Sequence, residues 1–283
     1  MPIVFALWLS LQAAPDAGPR QIVFGADRPV TLLVPRSYAG KPTPLLLVLH
    51  GYGSSGPHHQ EYLGLAKLVE AHGVLLASPD GTLDTAGDRF WNTGSAACCN
   101  FHGSAVDDLK YLRELLAEIR RVYDVDPKRV YVVGHSNGGF MAHRLGCELA
   151  GQVSAIVSLA GSMPVEDCHP AKVVRVLQIH GTRDFGVRYD GGTDILKQGG
   201  GPYPGALETA SRWAQLNGCK PTRSSKPAVD LEAKLPGAET TVSAWDGCPK
   251  GGGVTLWTLE GGSHVPDVGQ ALPGLLWQWL NVQ

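Results

Sequence analysis

Apolar residues along the chain fall into two recurring patterns. Short, nearly unbroken runs of leucine and β-branched residues occur at positions 44–50, 74–78, 129–133, 153–159, 173–180 and 254–259. Continuous rather than alternating hydrophobicity marks a strand covered on both faces. Between the runs, apolar positions spaced three and four apart predict helices. One carries Val106, Leu109, Leu112, Leu116 and Ile119, and another Phe140, Met141, Leu145 and Leu149; two more cover 206–216 and 272–280. A further helix is predicted over 61–71. Segments 21–24 and 30–34, split by a short polar turn, predict an antiparallel hairpin, and 240–244 a late strand. Ser104-Ala105-Val106-Asp107 predicts a capping box, Asp126-Pro127 a stop before the next strand, and the polar run 220–239 a surface connection. Strand and helix alternate without an internal repeat. This predicts an α/β class: a mostly parallel central sheet with helices on both faces, as one domain over 21–283. Right-handed crossovers would bring the strand C-terminal ends to one edge, where sites of such sheets lie.

Length and composition narrow the picture further. The 283 residues are 43% hydrophobic, enough for a large core, and the formal net charge of -2 argues against a polyanion-binding surface, so no nucleic-acid partner is expected. Residues 3–11 form an apolar run followed by Ala13-Ala14, so 1–14 read as a secretory signal peptide, with a buried N-terminal strand as the alternative. No later run is long enough for a membrane span. Six cysteines (Cys98, Cys99, Cys147, Cys168, Cys219, Cys248) fit an exported, secreted or periplasmic, protein with disulfides. Cys219 and Cys248 flank a polar connection and are the expected pair. Cys147 lies about three turns down a predicted helix and is expected to be an inert buried thiol unless a chain end passes nearby.

The chemistry centres on Gly134-His135-Ser136-Asn137-Gly138, a G-x-S-x-G pentapeptide between a predicted strand and a predicted helix. That context describes a nucleophile elbow, where glycines two before and two after the serine permit a tight turn. A serine hydroxyl needs a base, and the base an acceptor on its other nitrogen. Asp184 and His264 each fall just past a predicted strand, giving the order serine, acid, histidine. Ser136 is expected as nucleophile, His264 as general base and then acid, and Asp184 as orienter; Asp190 and Asp194 are alternatives deeper in a glycine-rich loop. Oxyanion donors are expected from the Asn137 backbone N–H and from Tyr52 in the turn after 44–50. Trp91 and Phe185 are candidate walls of an acyl pocket. His50 and His180, at strand ends, are expected to be structural, and His58, His59 and His135 have no assigned partner. Asp107 and Asp108 are read as helix-start charges. Cys98, Cys99 and His102 lack a second cysteine pair with ligand spacing, so no metal is expected.

Taken together, His50-Gly51-Tyr52-Gly53, Pro79-Asp80-Gly81-Thr82, Trp91-Asn92 with Cys98-Cys99, Val106-Asp107-Asp108, the elbow through Met141, His180-Gly181-Thr182-Arg183-Asp184 and Gly261-Gly262-Ser263-His264 resemble a known branch of the α/β-hydrolases. The branch is that of secreted polyhydroxybutyrate depolymerases and feruloyl esterase-like enzymes, close to carbohydrate esterase family 1. The resemblance implies a serine carboxylesterase without metal or organic cofactor. Its substrates would be polyester oligomers of the hydroxybutyrate type or feruloyl and acetyl esters of plant polysaccharide. Two stretches depart from the branch. Val265-Pro266-Asp267 keeps only the proline of the tryptophan and proline that often follow the histidine, and Phe185-Gly186-Val187-Arg188 replaces a proline-containing turn. No polymer-binding module is expected after His264, and a monomer acting on oligomers or small esters is expected. A serine peptidase of the same fold and a non-catalytic binding protein on a hydrolase scaffold are the alternatives.

Overall fold

The computed structural model describes residues 19–24, 28–163, 168–193, 195 and 198–281. The expected signal peptide at 1–14 and the alternative acid Asp194 lie outside these residues. The chain opens with β1 (Arg20–Phe24), β2 (Val30–Val34) and β3 (Thr43–Leu49), followed by α1 (Gly56–Tyr62), α2 (Lys67–His72) and β4 (Leu75–Ala77). A long loop carries the small hairpin β5 (Thr82–Leu83) and β6 (Arg89–Phe90). Then come α3 (Asp108–Val122), β7 (Val125–His135), α4 (Asn137–Glu148), β8 (Ala155–Leu159) and β9 (Arg175–Gly181). A second small hairpin, β10 (Gly191–Gly192) with β11 (Tyr203–Pro204), precedes α5 (Ala206–Leu216). The chain finishes with β12 (Arg223–Val229), β13 (Thr240–Trp245), β14 (Val254–Leu259) and α6 (Leu272–Asn281).

Ten strands form one sheet in the order β1-β2-β4-β3-β7-β8-β9-β14-β13-β12. The central run from β4 to β14 is parallel, and antiparallel pairs close both edges. The unbroken apolar runs now have their reason. Leu45, Leu47 and Leu49 of β3, with Val130 and Val132 of β7, face a core shared with α3, α4 and α5. Their neighbours Leu46, Val48, Tyr131 and Val133 face the opposite core, with the α1–α2 segment and α6. Successive side chains of a strand point to opposite faces, so both must be apolar where both are covered.

Four local expectations are corrected. The helix predicted over 61–71 is two short helices. Gly64 has φ +65, and a Cβ there would lie 2.2 Å from the Gly269 carbonyl oxygen, so the helix breaks where the chain approaches a second loop. Helix α3 starts at Asp108 and is capped by Asp107, whose carboxylate accepts from the Lys110 N–H, so Ser104 is not the cap. Asp126-Pro127 does not stop the chain, because β7 already begins at Val125 beside an irregularity in its pairing with β3. The polar run 220–239 contains β12, an exposed edge strand whose pairing with β13 shifts around Pro227. Proline is tolerated in a strand at such an edge.

The cysteines pair as Cys98–Cys99, Cys147–Cys168 and Cys219–Cys248. The last is the expected bridge. Cys147 is not a lone thiol, because the segment after β8 brings Cys168 back to α4. Among the described residues no helix is long and apolar enough to cross a membrane.

Candidate active site

The turn after β7 is as tight as the pentapeptide requires. Ser136 has φ 53 and ψ -118, a strained conformation for a residue with a side chain, costing on the order of 1–3 kcal/mol. A Cβ on Gly134 would lie 2.0 Å from the Gly138 carbonyl oxygen, and one on Gly138 would lie 2.2 Å from that of Leu49. The first glycine therefore lets the turn close on itself, and the second lets α4 approach β3. The Ser136 N–H donates to Leu159 of β8 at 2.8 Å, which anchors the strained residue to the neighbouring strand.

Asp184 follows β9 and His264 follows β14, on the same edge of the sheet as Ser136. His264 Nε2 is 2.9 Å from Ser136 Oγ, and its Nδ1 is 2.8 Å from Asp184 Oδ2. The other Asp184 oxygen accepts from the N–H groups of Gly186 and Val187, each at 2.8 Å. Burial alone would raise the Asp184 pKa, but hydrogen bonds and charge from His180 and His264 win and hold it well below the usual carboxylate range. An ionised acceptor on one face of an imidazole fixes the proton on Nδ1 and leaves Nε2 to receive one from a hydroxyl. The arrangement can therefore pull a proton from Ser136.

His180 is more than a structural strand-end residue. Its Nε2 donates to Val187 O at 2.8 Å and lies 3.3 Å from Asp184 Oδ2. Behind it a buried chain fixes its orientation. Trp213 Nε1 donates to His143 Nδ1 at 2.8 Å, and His143 Nε2 donates to Gln178 Oε1 at 3.0 Å. Gln178 Nε2 then donates to His180 Nδ1 at 3.2 Å. Each link has one possible donor, so the whole chain runs toward the carboxylate. Sequence reasoning missed it because Gln178 and His143 carry no spacing signal; only the fold brings β9, α4 and α5 together.

Tyr52 lies in the turn after β3 and Asn137 is the first residue of α4. Among the described residues neither backbone N–H has a hydrogen-bond partner. The Tyr52 hydroxyl donates to Asp84 at 2.5 Å and Gly53 N–H to Arg89 O at 2.8 Å, so the turn is held from both sides. The Asn137 side chain points away from the serine. Its Oδ1 accepts from Trp91 N–H at 2.6 Å and its Nδ2 donates to Trp91 O at 3.0 Å.

Trp91 does not line the site. Clamped by Asn137, it is fully buried, with Nε1 donating to His50 O at 3.0 Å and its ring 5.1 Å from that of His50. It supports the β3 turn from beneath. Phe185 is 88% exposed, and Val265 beside His264 is 59% exposed, so apolar surface is displayed at the rim. His50 is a satisfied structural residue, donating to Gly51 O and accepting from Gly81 N–H. Asp108 is not simply a helix-start charge: it is fully buried, pairs with Arg28 at 2.7 Å and accepts from Asn92 N–H at 2.8 Å. Among the described residues the carboxylate that bonds His264 is Asp184, and Asp190 shares no hydrogen bond or ion pair with it. Among the described residues no group of three candidate ligands converges on a metal position.

Comparison with known proteins gives this geometry a family. A family model described as phospholipase/carboxylesterase matches residues 36–195. Feruloyl esterase B of Piromyces equi is 31% identical over 250 residues, which is 86% of this chain and 44% of that protein. The putative esterase NocK of Nocardia uniformis subsp. tsuyamanensis is 29% identical over 234 residues, 78% of this chain and 65% of that one. The chain thus spans less than two thirds of the length of either relative. Among solved structures, acetyl xylan esterase from Aspergillus awamori superposes with a TM-score of 0.65 at 16% identity, covering 92% of this chain and 98% of that one. That likeness supports the fold alone. A parallel sheet with a G-x-S-x-G elbow at its centre, matched over residues 36–195, places this chain in the phospholipase/carboxylesterase family of α/β-hydrolases.

Proposed function

We propose that this protein is a serine carboxylic-ester hydrolase acting through an acyl-enzyme. The observation that carries the reading is His264 bridging Ser136 Oγ at 2.9 Å and buried Asp184 at 2.8 Å. His264 takes the Ser136 proton as Oγ attacks the ester carbonyl carbon. The tetrahedral oxyanion is received by the open N–H groups of Tyr52 and Asn137, each worth about 3 kcal/mol of barrier in such sites. His264 then protonates the leaving alkoxide and the acyl group stays on Ser136. Water attacks the acyl-enzyme with His264 again as base, releasing the acid and restoring the serine. Asp184 keeps its charge throughout and steadies the imidazolium.

The substrates favoured are feruloyl or acetyl esters of plant polysaccharide, ahead of hydroxybutyrate-type oligomers. The relation to feruloyl esterase B supports the phenolic ester, and exposed Phe185 offers an aromatic face to such an acyl group. Three disulfides support a location outside the cytoplasm, in keeping with the leader expected at 1–14.

The test is turnover of p-nitrophenyl acetate and methyl ferulate by the wild type and Ser136→Ala, alongside fluorophosphonate labelling. The variant should fold normally, lose turnover by several orders of magnitude and lose labelling. Wild-type turnover in Ser136→Ala would overturn the assignment. Cleavage of amides without preference for esters would instead support a peptidase.

A further inference from the structure

Two buried imidazoles beside the site take no part in the chemistry above. His59, in α1, and His135, the residue before Ser136, stack with ring centroids 5.1 Å apart and Nε2 of the first 2.9 Å from Nδ1 of the second. The line continues from His135 Nε2 to the His264 carbonyl oxygen at 2.8 Å, and from His59 Nδ1 to Ser54 Oγ at 3.0 Å.

Its direction follows from elementary chemistry. A carbonyl oxygen only accepts, so His135 Nε2 carries a proton. Burial first, and then the nearby His264, hold the His135 pKa down to about 3, so the ring is neutral and Nδ1 is an acceptor. His59, pushed down to about 2 by burial and by His135, is also neutral. It must donate from Nε2 and accept the Ser54 hydroxyl proton at Nδ1. Reversing the chain would set a bare nitrogen against the His264 carbonyl at 2.8 Å, or bury a cation. The chosen direction sets the Gly51 N–H against a protonated His59 Nε2 at 3.3 Å, a longer and milder conflict, and has His58 Nδ1, 3.1 Å from Ser54 Oγ, donate to that hydroxyl.

We propose that His135 and His59 are positioning residues: a directed Ser54–His59–His135 chain tethers the backbone of His264 to the elbow and to the turn after β3. The inference rests on reading Ser136 and His264 as nucleophile and base. Asp184 governs the angle of the His264 ring, but the tether holds the chain from which that ring projects. Three loops that must agree in position, those after β3, β7 and β14, meet on this one chain. Displacing a reacting group by about 1 Å costs on the order of 100-fold in rate.

Two measurements test it. In the full chain with 15N-labelled histidine, NMR at pH 7 should find His135 and His59 both neutral with the proton on Nε2. An Nδ1-protonated or cationic His135 would overturn the proposal, and this arm needs neither a variant nor activity. In kinetics on p-nitrophenyl acetate, His135→Phe keeps a ring but loses the tether. It should lower kcat about 10- to 100-fold with KM within about twofold. His135→Gln places an amide N–H near the Nε2 position and should regain most of the loss. Wild-type kcat in His135→Phe, or no recovery in His135→Gln when both fold, would sink it. If His135→Phe does not fold, the NMR tautomers decide. A wild type with no ester turnover and no fluorophosphonate labelling would defeat the hydrolase reading, while the tautomers would still report the chain.

Discussion

Lowering the pH from 7 to 5 should destabilise the folded protein by roughly 6 kcal/mol, through histidines rather than carboxylates. His59, His135 and His143 are buried and held neutral, their pKa values pushed down to about 2, 3 and 4, in each case by burial first. In the unfolded chain each returns to about 6.5. Between these limits the unfolded state binds more protons than the folded one, so stability rises with pH and is lost on acidification below about 6.5. From pH 7 to 6 each imidazole contributes a loss of about 0.7 kcal/mol, and from pH 7 to 5 about 1.9 kcal/mol. Three of them therefore give about 2 kcal/mol at pH 6 and about 6 at pH 5. His50, lowered mainly by burial, adds in the same direction. Asp184 does not enter this window. Its folded pKa lies below the unfolded value, so its contribution is complete above about pH 4 and is lost only as the pH falls further.

Urea unfolding at pH 7, 6 and 5 and constant ionic strength measures this directly. A domain with ordinary stability of about 5–15 kcal/mol should come close to its unfolding limit at pH 5. The dependence should be curved, with the second unit of pH costing about twice the first. His143→Gln, which removes one of the three groups, should reduce the loss between pH 7 and 5 to about 4 kcal/mol. A change below about 2 kcal/mol in the wild type would refute the reasoning, because even one fully buried neutral imidazole supplies that much.

Asp108→Ala should cost about 3–5 kcal/mol by leaving Arg28 without its buried partner and the Asn92 N–H without an acceptor, read by thermal or urea unfolding. Gly138→Ala should abolish accumulation of folded protein, since its Cβ would lie 2.2 Å from the Leu49 carbonyl oxygen; a soluble variant with native circular dichroism would contradict the close approach. Replacing Cys219 and Cys248 by alanine opens a loop of sequence separation 29 and should lower stability by about 3.6 kcal/mol under non-reducing conditions.

Much of the fold was legible because hydrophobic period alone separates strands covered on both faces from helices with one apolar stripe. The elbow, acid and histidine were legible for a different reason. A parallel sheet sends every strand end to one edge, so three polar residues just past three apolar runs must meet. What escaped were features set by tertiary approach. Gly64 breaks a helix because another loop passes it, and Asp107 rather than Ser104 caps α3 because Ser104 is drawn into the loop, its N–H and C=O both bonded to Asn100. Trp91 looked like a pocket wall from its place in a loop, yet Asn137 pulls its backbone inward. The partners of His59, His135, His143 and His180 carry no signal along the chain, because each reaches across from a different element.

Those histidines explain how a single imidazole can be singled out in a crowded site. His135 stacks on His59, whose ring neighbours that of His50, while His143 and His180 are joined through Gln178, with His180 against Asp184. Each has both ring nitrogens engaged with protein groups. His264 differs in two respects. Its side chain is 19% exposed, and its Nε2 meets the hydroxyl of Ser136 at the elbow, whereas the hydroxyl at His59 Nδ1 belongs to Ser54 in the turn after β3. A buried polar network is favourable only when every member is satisfied, since a half-satisfied one costs more than an apolar core. Saturating the other imidazoles therefore does more than avoid that cost. In the proposed reaction it leaves one imidazole facing the Ser136 hydroxyl, with its ring bonded to Asp184 and, in the proposed tether, its backbone bonded to His135.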